Sequence, residues 1–381
     1  MNAASLRWEL LAASALAQDD ALRAAWNALN AERGDLPFMD ASCIVQALRL
    51  FGRGDEKLAV GRAGAAVAAL FVLQGQGPMR WTTFQPSQLP LGAWVATAAC
   101  DVAALGRALM RTALAPCLVL SITQVDPQVA ERPAALPDGQ DADYIETGWL
   151  DLEGDFETYW QSRGKNLRQN LRKIRNRLEA AGTRVQLIER RSRGEMAEVV
   201  RQYGELESAG WKSGGGTAIH ADNDQGRFYR ALLEEAADRG EARVYEYRFD
   251  DQVVAMNLGL LRKGVLVVLK TTYAESAHAF SPAFLLRESE LQQMYAEGEV
   301  RRMEYFGRFL EWHSRWTDRK RALYHLTLYR WSWLGQLAAW RRQAAAAKAQ
   351  AAKEAAEKEA AAGLAADKPA ADVPAEPSTT A

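Results

Sequence analysis

Cysteine and histidine are scarce in this chain. Its three cysteines, Cys43, Cys100 and Cys117, stand far apart with no Cys-x-x-Cys among them, which argues against both a zinc ribbon and a disulfide framework. A reducing cytoplasm is the simplest setting for such thiols. The four histidines, His220, His278, His313 and His325, are just as scattered, so no His-based metal site is expected. Excess charge is missing too. With 47 basic residues against 48 acidic ones, no global field draws the chain to nucleic acid or to a membrane. No apolar run reaches the ~18 residues of a membrane span. Arg7, Glu9, Asp19 and Asp20 interrupt the apolar positions of the first residues, which argues against a signal peptide there.

What is present is length and pattern. At 381 residues the chain has room for two domains of common size. Its last stretch, 336–381, is rich in Ala, Lys and Glu and then in Pro, Ser and Thr, which predicts a solvated helix followed by a disordered end. Before it, an internal echo stands out. "KLAVGRAGAAVAALFVLQGQGPMRWTTF" and "ARVYEYRFDDQVVAMNLGLLRKGVLVVLKTTY" both read strand, turn, strand, turn, strand, with Val67-Ala68 matched to Val254-Ala255. Helical segments precede each meander. The chain therefore reads as two copies of one unit, helices covering mostly antiparallel sheet, an α+β layer fold. The halves divide as 1–150 and 151–335.

Between the copies, "FETYWQSRGKNLRQNLRKIRNRLEAAG" places Leu167, Leu171, Ile174 and Leu178 at helical spacing. The other face carries Arg163, Lys165, Arg168, Arg172, Lys173, Arg175 and Arg177. Such a face suits a phosphate-rich cofactor, an RNA or peripheral contact with an anionic membrane, and is most commonly just solvated. After the second meander, "HAFSPAFLLRESELQQMYAEG" predicts a sharp helix start. Ser281 reads as N-cap and Pro282 as the first helical residue. Phe284, Leu291 and Tyr295 form one apolar face and Gly298 ends the helix. The amides of Ala283, Phe284 and Leu285, at the positive end of the helix dipole, would suit an anion such as a pyrophosphate.

Three stretches together, the Lys-x-Leu-Arg-x-x-Leu-Arg-Lys pattern of the basic helix, "ELESAGWKSGGGTAI" and "LKTTYAESAHAFSPAFLL", resemble the GNAT-fold acetyltransferases of the cellulose-biosynthesis (CelD) type. That group is related to the FemAB peptidyltransferases, which also carry two GNAT-like units. The resemblance covers most of residues 36–330 and excludes the tail. It implies a tandem GNAT-like (acyl-CoA N-acyltransferase) fold in which the second half binds acetyl-CoA or another acyl-CoA; the first half, with Pro86 and Pro90 where a helix start would be needed, is expected to bind none. The cofactor would lie along Leu269, Lys270 and Thr271, with its pyrophosphate at Ser281, Ala283, Phe284 and Leu285. Relatives usually carry Gly where this chain has Ala283, and Tyr-Lys where it has Trp312-His313.

The resemblance further implies transfer of an acyl group to an amine or hydroxyl of a sugar or exopolysaccharide precursor. Glu304 is the leading general base, Tyr273 the candidate acid toward the thiolate, and His313 a group able to serve either role, its ordinary pKa lying near neutrality. Trp211 and Lys212, in a Gly-rich loop, would shape the acceptor pocket. No metal is called for. Two other readings stay open: FemAB-like transfer from aminoacyl-tRNA, which would place RNA on the basic helix, and a GNAT-fold scaffold of a polysaccharide-synthesis complex that has lost catalysis. The balanced charge disfavours nucleic acid outside the tRNA reading.

Overall fold

In the computed structural model, residues 3–208 and 219–366 are described. Contacts divide the chain after Arg330. Beyond that point α11 (Ser332–Ala366) is a single long helix, as its alanine content favours. The expectation of disorder at the extreme end falls on 367–381, outside the described residues.

The body repeats one series of elements. The first half runs β1 (Arg7–Ala12), α1 (Ala15–Gln18), α2 (Asp20–Glu32), α3 (Ala41–Phe51), β2 (Lys57–Ala63), β3 (Ala66–Gly75), β4 (Arg80–Thr83), β5 (Trp94–Ala96), α4 (Val102–Arg111) and β6 (Val119–Val125). After β7 (Gly139–Asp151), α5 (Phe156–Ser162) and α6 (Lys165–Ala180) the series recurs. It reads β8 (Val185–Arg190), α7 (Met196–Ser208), α8 (Asp224–Asp238), β9 (Ala242–Phe249), β10 (Gln252–Arg262), β11 (Val265–Tyr273), α9 (Pro282–Glu297) and β12 (Arg302–Glu304). It closes with α10 (Glu311–Ser314) and β13 (Lys320–Tyr329).

All the strands join one sheet of order β1-β2-β3-β4-β6-β13-β7-β12-β11-β10-β9-β8, with β5 paired to β3. Both meanders, β2-β3-β4 and β9-β10-β11, are antiparallel and enter the sheet in the same order. Each half also holds one parallel pair, β4 with β6 and β11 with β12. The fold is thus α+β with one unit repeated twice, as the echo led us to expect. The centre of the sheet holds an exchange: β7 follows the first half yet pairs with β12, and β13 follows the second yet pairs with β6.

The echo needs one correction of register. Pairing of Gly61 with Ala69 and Arg62 with Val67 leaves Ala68 as a bulge in β3, and pairing of Val253 with Arg248 and Ala255 with Tyr247 leaves Val254 as a bulge in β10. Ala68 therefore corresponds to Val254, one position away from the match read off the sequence. A bulge places two successive side chains on one face, and Ala68-Ala69 and Val254-Ala255 indeed both face the core beneath α4 and α9.

One face of the sheet carries a core shared by both halves, built from α2, α3, α7 and α8, with Trp26, Ile44, Tyr203 and Phe228 fully buried. The opposite face carries two separate cores, one under α4 and one under α5, α6 and α9. Ion pairs also tie the halves together. Arg262 on β10 reaches Asp40 at 2.6 Å, and Arg321 on β13 holds Asp126 at 2.6 Å and Glu304 at 2.9 Å.

Candidate active site

Strands β11 and β12 are parallel for only three pairs, Val265–Val267 against Arg302–Glu304. Beyond Val267, β11 runs on to Tyr273 while the chain after β12 turns away, so the two splay apart. A bulge lies just past the closed end of this splay: Lys270 pairs with Leu258 and Val268 with Gly259, leaving Leu269 without a partner across β10. Leu269 packs on the shared core and Lys270 lies over the Tyr229 ring at 5.6 Å on the same side. Thr271 and Tyr273 are thereby turned to the α9 side.

Helix α9 begins beside the open end. Ser281 does not cap it with its hydroxyl, contrary to the sequence reading. Its backbone is left-handed, with φ 45° and ψ 53°, whereas a side-chain cap needs extended geometry. Its carbonyl caps instead, accepting from the N–H groups of Phe284 at 3.0 Å and Leu285 at 3.2 Å. Two of the three amides expected to be open are therefore occupied. The Ala283 N–H is the one left without a partner among the described residues. Gly298 ends the helix in the left-handed conformation as anticipated, its N–H bonded to Met294.

Between β11, the first turns of α9 and the segment after β12 lies a cavity of about 260 Å³. Thr271, Tyr273, Ala283 and Phe284, all singled out from sequence, line it together with Trp312. Arg287 and Trp316 complete the lining and were not anticipated. Both left a signal. Arg287 lies three residues after Phe284 and four before Leu291, so it is a charge set into the apolar stripe of α9, and Trp316 follows Trp312 at helical spacing. Trp316 stacks on Trp160 at 6.0 Å and leans on Phe284 at 5.8 Å. Its carbonyl accepts from the Tyr159 hydroxyl at 2.9 Å and from Arg163 at 3.0 Å. The start of the basic region is thereby fastened to the cavity wall.

The remaining candidates disperse. Leu285 is buried in the core and offers only its backbone. His313 is buried with its ring against Trp312 at 3.5 Å and Tyr305 at 4.8 Å, while Nδ1 accepts the Leu310 N–H at 2.9 Å. Burial, aided by the nearby charge of Arg287, pushes its pKa down to about 4, so the imidazole is neutral at pH 7. Glu304 sits at the closed end of the splay, but Met303 and Tyr305 face Arg287 whereas Glu304 lies on the other side of the strand. Its carboxylate is held by Arg321 at 2.9 Å and Arg302 at 3.1 Å, and burial pushes its pKa up. Trp211 and Lys212 lie outside the described residues.

On α6, Leu167, Leu171 and Leu178 are buried as the spacing predicted. Arg175 is engaged by Glu288 at 2.9 Å and Arg177 covers Phe280 at 4.9 Å, while Lys165, Arg172 and Lys173 are exposed. Among the described residues no cluster of three or more His, Cys, Asp or Glu could hold a metal ion, and no helix is long and apolar enough to cross a membrane.

Residues 165–312 match the sequence profile of the family described as acetyltransferase (GNAT) domain. No curated protein matches the chain. Among solved structures, the chain is similar to a C-terminal domain named for lysylphosphatidylglycerol synthetase from Agrobacterium fabrum, at 15% identity and TM-score 0.51, over 81% of this chain and 92% of that one. It also aligns with a tandem GNAT protein from the clavulanic acid biosynthesis pathway, at 16% identity and TM-score 0.46 over 86% and 99% of the two chains. A third structure, FemX, aligns at 8% identity and TM-score 0.44 over 74% and 90%. At such identities the likeness is one of fold. The match to the acetyltransferase (GNAT) domain profile thus lies within the second half, over α6 to α10.

Proposed function

We propose that the chain is an acyl-CoA-dependent acyltransferase whose site is the splay of β11 and β12, and that its acceptor is an amine or hydroxyl of a sugar or exopolysaccharide precursor such as one of cellulose biosynthesis. One observation carries the donor side of this reading: the splayed parallel pair adjoins a partly open cavity at the start of α9. The donor's pyrophosphate would rest at the Ala283 amide, aided by the helix dipole. Its thioester would follow the edge of β11 that β12 leaves unpaired beyond Val267, with main-chain amides there to polarise the carbonyl.

The acceptor nitrogen or oxygen then attacks the thioester carbon, and the C–S bond breaks as the new C–N or C–O bond forms. Glu304 is assigned the acceptor's proton, which requires the acceptor to enter from the side of β12 opposite Arg287, where that carboxylate lies beside Arg321 and Arg302. Tyr273, on the cavity wall, is assigned proton delivery to the leaving thiolate and is reprotonated from solvent. The Trp211-Lys212 loop is assigned to the acceptor, and the first half is assigned no CoA. Calorimetry with acetyl-CoA, butyryl-CoA and CoA tests the donor: at least one binds the folded chain, and failure of all three refutes the reading.

A second reading, transfer from aminoacyl-tRNA, is favoured by one feature, the exposed cations Lys165, Arg172 and Lys173 on a helix packed against α9. Charged tRNA in the same assay separates the two, because RNA binding of this kind weakens steeply with salt.

A further inference from the structure

The residue at the closed end of the cavity is a buried arginine with half of its fork unused. Arg287 is 3% exposed, yet lines the cavity. Its Nη1 pairs with Glu290, which is held from behind by Asn257 at 2.8 Å, and also contacts the Met303 sulfur at 2.8 Å. The Tyr305 ring lies 5.4 Å from the guanidinium, and the Tyr305 hydroxyl is buried with no partner. Nε and Nη2 have no hydrogen-bond partner among the described residues. These two nitrogens form one edge of the guanidinium, whose parallel N–H bonds match the two oxygens of a carboxylate one to one. Arg287 reaches the cavity between Phe284, Trp312 and Trp316, where the carboxylate of a ligand can pair with that edge.

We infer that Arg287 makes the cavity a carboxylate subsite, and that the donor's acyl group ends in a carboxylate, as a succinyl group does. The inference rests on the acyl-CoA reading of the site. Ala283 stands at the open end of the splay, whereas the guanidinium lies against Met303 and Tyr305 at its closed end. A donor laid from the helix start toward the bulge at Leu269 therefore brings its acyl group to the guanidinium. Phe284, Trp312 and Trp316 contact its apolar part, and Glu290 neutralises Arg287 only on the far side.

The test is calorimetry on the full chain with succinyl-CoA against acetyl-CoA, and with phenylacetate against its neutral amide as probes that need no CoA. Succinyl-CoA is expected to bind about tenfold or more tightly than acetyl-CoA, as a charge-assisted bidentate contact provides. In Arg287→Lys, which keeps a charge facing Glu290 but loses the paired edge, the preference falls below about twofold. Equal wild-type affinities for both pairs of probes, or a preference that survives in Arg287→Lys, overturns the assignment. If no CoA compound binds but phenylacetate is preferred over its amide in an Arg287-dependent way, the subsite stands and the acyl-CoA reading falls. The wild-type comparisons decide the matter even if Arg287→Lys does not fold.

Discussion

His313 ties stability to acid in a way the structure lets us size. Its imidazole is packed among Trp312, Tyr305 and Phe309, and Nδ1 accepts the Leu310 N–H. A proton at Nδ1 would oppose that donor and place a cation near Arg287. The folded pKa, about 4 against 6.5 for the free side chain, lies below the unfolded value, so folding favours the neutral ring. That contribution is fully present above pH 6.5 and is lost as the pH falls toward 4. Linkage over this interval gives a loss of about 2 kcal/mol at pH 5 and about 3 kcal/mol at pH 4. Other buried groups titrate in the same window, so the quantity to measure is a difference. His313→Gln keeps an acceptor for the Leu310 N–H, as Gln does at the third residue of a capped helix, but carries no titrating ring. Urea unfolding of both proteins between pH 7 and 4.5 should show the wild type losing stability more steeply. Parallel curves would refute the assignment of that acid sensitivity to His313.

Replacing Arg321 with Leu strands Asp126, 1% exposed, and leaves Glu304 only Arg302; urea unfolding should show a loss of about 3 to 5 kcal/mol. A loss under about 1 kcal/mol would mean that the network joining the halves is solvated. Ala283→Asp adds a carboxylate where the donor's phosphates would rest, and calorimetry should record CoA binding weakened by about 1 to 3 kcal/mol, roughly ten- to a hundredfold. Its stability should change little, since an acid in the first turn suits the dipole. Titration to saturation should give one CoA per chain, and two would open the first half to the cofactor.

Local pattern carried most of the elements, and long-range pairing was where it stopped. The meanders were readable because alternation and turn residues repeat at short range, and α9 was readable because Pro282 and Gly298 mark its ends. The exchange of β7 and β13 was not readable. Each pairs across the middle of the sheet with residues such as Glu304 and Ile122, far away in sequence, and nothing in a strand's own pattern names its neighbour. The same limit hid Arg321, which that exchange brings to Glu304 on one side and to Asp126 on the other. The left-handed Ser281 was hidden for a different reason: a serine before Pro reads as a side-chain cap, and only the backbone angle shows its carbonyl acting instead. Arg287 was visible all along as a charge inside an apolar stripe, and the apolar pattern outweighed it.

The proposed function gives a donor to only one of the two copies, and their helix starts differ accordingly. The helix equivalent to α9 in the first half is α4, and its start is filled by the chain's own acid: Asp101 accepts from the amides of Ala103 at 2.7 Å and Ala104 at 3.4 Å. A phosphate arriving there would meet a carboxylate already seated on those donors. The approach is closed as well. Arg33 donates to the carbonyls of Ala96 at 2.9 Å, Thr97 at 2.8 Å and Val129 at 2.9 Å, binding the segment before α4 to the chain after β6. β5 lies in the space beside β3 where β4 ends, with Trp94 stacked on Phe71 at 5.6 Å. In the second half the corresponding helix starts with Pro282, and the Ser281 side chain before it caps none of its amides, leaving that of Ala283 without a partner among the described residues. The two halves differ least in their meanders and most at this junction, where one start is sealed by Asp101 and Arg33 and the other opens onto Arg287.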